Sequence, residues 1–180
     1  MKKSTRQIII VLAVLGLVGC DQFTKEIAKD RLMGVGTKSY VSDTFRLMYA
    51  ENTGVFLGLG KNLPRAVRFT LFTLGVATVL ALLLANVLRT PAWDAWHGTA
   101  ITLIVAGGFG NLIDRVFNDG VVIDFMNLGM GGLRTGIFNV ADVCITTGVS
   151  VFIVSEIIRH FKPSPPGPET TADTGSVGMS

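Results

Sequence analysis

The chain has 180 residues; 49% are hydrophobic, only 16% are charged, and the mean hydropathy is +0.52. Soluble domains carry about a quarter charged residues, so disorder, collagen and a charge-rich coiled coil are excluded and the sequence reads as that of a membrane protein. The net charge of +3 is too mild to point to nucleic acid, and Cys20 and Cys144 sit in apolar runs that suggest neither a disulfide framework nor a thiolate metal site.

In chain order, the first charge-poor stretch is Gln7 to Cys20, 14 uncharged residues between Arg6 and Asp21. That length suits the apolar core of a signal peptide, and Leu17-Val18-Gly19-Cys20 resembles a lipobox with Cys20 as the lipidated residue. The competing reading, an uncleaved helix over about 7–23 with Arg6 snorkelling at its start, is preferred because three more membrane-grade segments follow. Residues 26–66 hold extended patches at Lys38–Val41 and Phe45–Tyr49 and a Gly-rich stretch from Gly54 to Gly60, which predict a small strand platform. Lys25, just before it, reads as a surface charge.

Phe69–Leu88 gives 20 uncharged residues and Ala95–Ile113 gives 19, so both are long enough to cross a bilayer, with Trp93 and Trp96 as interfacial anchors of the latter. Residues 115–134 form a Gly-punctuated loop around Val121–Met126. The fourth span, Thr135–Ile158, is a 24-residue stretch interrupted by Asp142 and Glu156. The tail from Pro163 to Ser180 is rich in Pro, Ser, Thr and Gly, which predicts disorder. The expected organisation is one integral membrane domain over 1–162 and a tail over 163–180. Its fold class is an all-α membrane protein with four transmembrane helices and a small extracytoplasmic β platform between helices 1 and 2.

Lys2, Lys3 and Arg6 before the first span, with Arg159 and Lys162 after the last, place both termini in the cytoplasm by the positive-inside rule. Residues 21–68 hold eight Lys and Arg of their own, which pulls the other way. With alternating spans, one face collects Asp21, Glu51, Asn52, Asn111, Asp114, Arg115, Asp124, Asn139 and Asp142. Ionisable groups at membrane depth cost several kcal/mol unless they are paired or functional. Asn111 and Arg115 share a helix face at i, i+4, and Asn139 and Asp142 are spaced i, i+3. Asp142 is placed on the order of 10 Å inside the fourth span, at 1.5 Å rise per residue.

Two carboxylates at a partly desolvated site tend to share one proton, one serving as base toward water and the other as acid. That chemistry needs no metal and no nucleophilic side chain. His97 and His160 fall toward the opposite face, and there is no H-E-x-x-H. Taken alone, Asp124 reads as an ordinary loop acid, Asp142 equally as a proton relay in a transporter, and Asp114-Arg115 as a helix-end ion pair. Glu156, Cys20 and Cys144 read as helix-packing residues.

Five motifs carry a resemblance. Asp21-Gln22-Phe23-Thr24-Lys25, Glu51-Asn52-Thr53-Gly54, Gly110-Asn111-Leu112-Ile113-Asp114-Arg115, Val122-Ile123-Asp124-Phe125 and Phe138-Asn139-Val140-Ala141-Asp142 occur in the order seen in lipoprotein signal peptidases, the signal peptidase II family. The resemblance covers residues 7 to about 160. It implies an aspartic endopeptidase of the bacterial inner membrane that removes the signal peptide of a diacylglyceryl-modified prolipoprotein before its lipidated cysteine. Carried over motif by motif, Asp124 and Asp142 become the catalytic pair, and Asp21, Asn52, Gly54, Asn111, Arg115 and Asn139 the residues that shape the site and hold substrate. The expected partners are the lipidated prolipoprotein and membrane lipid, with no nucleic acid, no cofactor or metal, a monomeric chain and inhibition of the globomycin type. Two departures stand in loops: Arg115 to Asp124 is one residue longer than the family pattern, and Val55-Phe56 follows Gly54 where a small residue usually precedes the Phe.

Overall fold

The computed structural model describes residues 3–54, 60, 62–90 and 94–161. The tail expected at 163–180, Trp93 and most of the stretch between Gly54 and Gly60 lie outside them. Four helices are long and apolar enough to cross a membrane: α1 (Lys3–Leu32), α2 (Arg65–Arg89), α3 (Ala95–Phe117) and α4 (Val140–His160). An antiparallel sheet of β1 (Lys38–Tyr40), β2 (Phe45–Asn52), β3 (Val122–Met130) and β4 (Leu133–Arg134), in that spatial order, completes the fold.

Helix α1 runs past the expected end near residue 23. Its inward stripe, Ile10, Val14, Asp21, Lys25, Ala28 and Leu32, is spaced by three, four or seven residues, one or two helical turns, and is buried throughout. The first part packs with Val87 of α2 and Ile101, Val105 and Ala106 of α3, forming the apolar core among the helices. The last part, Ala28 and Leu32, closes instead on Phe125 of β3, with Leu47, Tyr49, Met126 and Val140 around them. This second core is why the helix continues for 30 residues, about 45 Å at 1.5 Å per residue. Outward-facing Leu12, Leu15, Leu82, Val154 and Ile158 are exposed, as lipid-facing positions are.

Helices α3 and α4 approach most closely where side chains are missing. A Cβ on Gly107 would collide with the Ala141 carbonyl, and one on Gly148 would lie 2.7 Å from the Ala100 carbonyl. Small residues at such crossings let helix backbones meet, the usual route to helix association in lipid. At the end of this pair that carries His97, its Nδ1 lies 2.8 Å from Asp94 Oδ1 and its Nε2 2.6 Å from Glu156 Oε1. Glu156 thus packs helices, as expected. Cys144 is buried between them, whereas Cys20 is exposed on α1. Arg6 donates to the Thr90 and Val87 carbonyls rather than snorkelling freely, satisfying the C-terminal end of α2.

The platform is present, but it is not confined to the connection between α1 and α2. Half of its strands come from the connection between α3 and α4: β3 pairs with β2 through Ala50–Asp124, Glu51–Ile123 and Asn52–Val122. An isolated bridge between Met126 and Phe138 then draws the chain back along β3 just before α4 begins. Asp43, at the β1–β2 turn, accepts from Ser39 Oγ and Arg46 Nε, both at 2.6 Å, and its carbonyl accepts from Arg134 Nη1. The hydrogen bonds from Arg46 and Ser39 hold the Asp43 carboxyl well below the usual carboxylate range.

Candidate active site at one end of the helix bundle

The two aspartates arrive from different elements. Asp124 is the third residue of β3, on the buried half of that strand, and lies diagonal to Asn52 on the same face of the β2–β3 pair. Asp142 sits in the first turn of α4, not about 10 Å along it. The helix starts at Val140 because Asn139 caps it: Asn139 Oδ1 accepts from the Asp142 amide at 2.9 Å, and Asp142 Oδ2 accepts from the Asn139 amide at 3.2 Å. This reciprocal capping box begins the helix five residues later than the apolar pattern suggested, and it fixes the Asp142 rotamer.

Asn139 also joins the two carboxylates. Its Nδ2 donates to Asp124 Oδ1 at 2.7 Å, and it reaches Asn111 Oδ1 at 3.1 Å and the Ile123 carbonyl at 3.2 Å. Asn52 Nδ2 donates to the other oxygen, Asp124 Oδ2, at 3.0 Å. Asn111 Nδ2 donates to Asp142 Oδ1 at 2.9 Å. Three carboxamides therefore orient two aspartates, and Asn139 is wholly buried at their centre. Burial and the nearby Asp142 carboxylate push the Asp124 carboxyl up to about 7, against the lowering influence of the Asn52 and Asn139 amides.

A second, deeper layer supports the first. Lys25 is buried, contrary to its expected surface position: its Nζ lies 2.8 Å from Asp21 Oδ2, 3.0 Å from Asp114 Oδ2 and 2.9 Å from Asn111 Oδ1. Gln22 Nε2 donates to Asp114 Oδ1 and to the Gly110 carbonyl. Asp21 Oδ1 accepts from the Ala141 amide, and Asp114 Oδ2 from the Ile123 amide. Each of these acids thus ends on a backbone N–H one residue away from a site residue. Asp21, predicted to contact substrate, is 1% exposed and braces α4 from below. Asp114 and Arg115, read as a possible ion pair with one another, have separate partners. Arg115 Nη2 donates to the Gly54 carbonyl at 3.1 Å, and the Gly54 amide donates to Asn52 Oδ1 at 2.9 Å.

The structure thus brings Asn52, Gly54, Asn111, Arg115, Asp124, Asn139 and Asp142 together, with Asp21 beneath them. Lys25 was missed, although its i, i+4 spacing from Asp21 and i−3 spacing from Ala28 put it on the inward stripe. Among the described residues, no three His, Cys, Asp or Glu side chains converge as metal ligands would.

Four spanning helices with a sheet and an aspartate pair at one end, Asp124 buried and Asp142 partly buried, define a multi-pass membrane protein with a polar site at that end. The comparisons with known proteins narrow that class. The family profile described as signal peptidase (SPase) II matches residues 12–158, and the chain belongs to that peptidase family. It is 37% identical over 150 residues to a lipoprotein signal peptidase of Chlorobium phaeovibrioides, covering 78% of this chain and 85% of that one. It is 30% identical over 158 residues to one of Borrelia hermsii, covering 84% and 91%. A solved bacterial membrane enzyme superposes with a TM-score of 0.71 at 26% identity, over 83% of this chain and 92% of that one. A second, at 24% identity, shares the fold with a TM-score of 0.73 over 88% and 94%.

Proposed function

We propose that the chain is an aspartic endopeptidase that cleaves a diacylglyceryl-modified prolipoprotein immediately before its lipidated cysteine. The carrying observation is that Asp124 and Asp142, from a strand and a helix, are both hydrogen-bonded to the buried Asn139. One aspartate takes a proton from water as the oxygen attacks the scissile carbonyl carbon, and the other gives its proton to the carbonyl oxygen. Collapse of the tetrahedral intermediate passes a proton to the amide nitrogen and breaks the C–N bond. Asp124, whose carboxyl holds its proton to about pH 7, is suited to begin as the acid. Asn52, Asn111 and Asn139 keep both carboxyls oriented, and Arg115 with Gly54 lines the approach.

The proposed setting is the bacterial inner membrane, with the site toward the extracytoplasmic face and both termini in the cytoplasm. The basic residues of the 21–68 segment that oppose this orientation are partly matched by acids: Lys25 by Asp21 and Asp114, Arg46 by Asp43, Arg65 by Asp119. The test is cleavage of a diacylglyceryl-modified prolipoprotein by the purified chain in detergent, beside Asp124→Asn and Asp142→Asn. Release of the signal peptide by the parent and by neither folded variant supports the reading. Equal cleavage by parent and variants rejects the aspartate pair, and an intact substrate throughout rejects the activity.

A further inference from the structure

Lys25 is a buried ion to which the aspartate chemistry assigns no task; its residue exposure is 2%. Its ammonium group has three N–H donors and no acceptor. Among the described residues, three oxygens stand around it: Asp21 Oδ2 at 2.8 Å, Asn111 Oδ1 at 2.9 Å and Asp114 Oδ2 at 3.0 Å. Donors and acceptors thus match one to one. The desolvation of buried charges offsets most or all of their mutual attraction. Stability alone therefore does not account for a lysine at this place.

Each of the three oxygens leads on to the aspartate pair. Asp21 accepts through its other oxygen from the Ala141 amide at 2.8 Å, one residue before Asp142. Asp114 Oδ2 also accepts from the Ile123 amide at 3.0 Å, one residue before Asp124. The third arm is more direct, because Asn111 Nδ2 donates to Asp142 Oδ1 at 2.9 Å. An ammonium group can meet only the oxygen end of a carboxamide, so Lys25 fixes which way Asn111 faces and leaves the nitrogen end for Asp142. Turned the other way, the Asn111 oxygen would stand against the Asp142 carboxylate. Asn139 Nδ2 also reaches Asn111 Oδ1, at 3.1 Å, but its two hydrogens are shared among three acceptors, and the nearest of these is Asp124 Oδ1 at 2.7 Å. Lys25 brings a whole N–H and a full charge to the same oxygen, which makes it the stronger constraint.

We propose that Lys25 is a positioning residue for the aspartate pair: by holding the oxygen of Asn111 it keeps the Asn111 amide donor on Asp142, the carboxylate that takes the proton from water. The inference rests on the peptidase reading above. Lys25 itself touches neither substrate nor water in this scheme; it acts through Asn111, on the chemical step. Arg115 and Gly54, which line the approach, are bonded to each other and not to Lys25, so substrate binding is left in place when Lys25 is changed.

The test is a double-mutant cycle on the full chain in detergent, with a diacylglyceryl-modified prolipoprotein as substrate and the thermal unfolding midpoint as the check that each variant is folded. Lys25→Met is compared with the parent, and the same substitution is then made in an Asn111→Ala background. Against the parent it is expected to lower kcat about tenfold or more and to leave KM within about twofold. In the Asn111→Ala background it is expected to change kcat by less than about twofold, because the side chain it acts through is gone. Should Lys25→Met fail to fold, Lys25→Met with Asp21→Asn takes its place, measured against Asp21→Asn alone; one of the two carboxylates left without a cation is then neutral. An equal loss of kcat in both backgrounds makes Lys25 a structural ion only and overturns the proposal, as does a loss carried by KM. Cleavage by the parent keeps the peptidase reading in either case; an intact substrate with the parent overturns that reading and this inference with it.

Discussion

Asn139 does two jobs with one side chain, and they separate by substitution. Its Oδ1 caps α4, while its Nδ2 orients Asp124. Serine keeps a capping oxygen and loses the amide donor, so Asn139→Ser is expected to hold the start of α4 yet cost about 1–3 kcal/mol in thermal unfolding, because the Asn111 and Ile123 carbonyl oxygens lose a buried donor. Turnover in the cleavage assay is expected to fall at least tenfold, because a hydrogen bond to a buried carboxyl is worth about 1.5–3 kcal/mol. Asp124 makes the pH prediction. Its folded carboxyl titrates at about 7 against an ordinary 3.8, so between those values the folded chain holds a proton that the unfolded chain has released. That contribution is present at the acidic end and is lost as pH rises through 7. Asp124→Asn removes the dependence, so its unfolding midpoint should gain on the parent between pH 5 and pH 8; a difference that stays constant with pH would show that Asp124 is ionised throughout. Lys25 gives the third residue-scale outcome. Lys25→Met leaves Asp21 and Asp114 buried without their cation, and is expected to destabilise by about 3–5 kcal/mol in thermal unfolding.

Among the elements, the α3–α4 pair and the β1–β2 turn show how local sequence fixes the frame. Gly148 lies where a methyl group would meet the Ala100 carbonyl at 2.7 Å and the Ile104 amide nitrogen at 3.0 Å, both backbone atoms that cannot rotate away. Gly148→Ala is therefore expected to push the helices apart and cost about 1–3 kcal/mol. The shift should also lower turnover, since α4 carries Asp142 and α3 carries Asn111. The turn behaves differently with pH. The Asp43 carboxyl titrates below its ordinary value in the folded chain, so its contribution is present above the unfolded value and is lost as pH falls. Asp43→Asn should lower the unfolding midpoint at neutral pH and lose that effect under acid; an effect that persists in acid would leave the Arg46 and Ser39 contacts without a role in the turn.

Over the whole molecule, the polar groups separate to two ends. The aspartate pair lies at the end where α1 and α3 finish and α4 begins, while His97, Asp94 and Glu156 tie α3 to α4 at the other. Four spans return the chain to the side it started from, so reporters fused at either terminus should give the same sidedness, cytoplasmic on the proposed reading. A phosphatase fusion active at one terminus only would break the four-span arrangement. Much of this plan was legible from residue order alone. A run of about 20 uncharged residues has few options in lipid other than a helix, because every backbone group must be satisfied within the segment. That constraint set the four spans and gathered the polar residues, Asp124 and Asp142 among them, at one end, while the family motifs picked out that pair and the carboxamides. The ends of the helices were not so constrained. Whether α1 stops at 23 or runs to Leu32 depends on Phe125, which is far away in sequence and meets Ala28 and Leu32 only after β3 docks. Likewise, Lys25 among charged neighbours has the composition of a surface, and only the packing of α1 against α3 encloses it between Asp21 and Asp114. Hydropathy acts locally and so determined where the chain spans. Which polar residues are buried, and what each one holds, depends on long-range pairing across the sheet and between helices, and only the tertiary structure decided that.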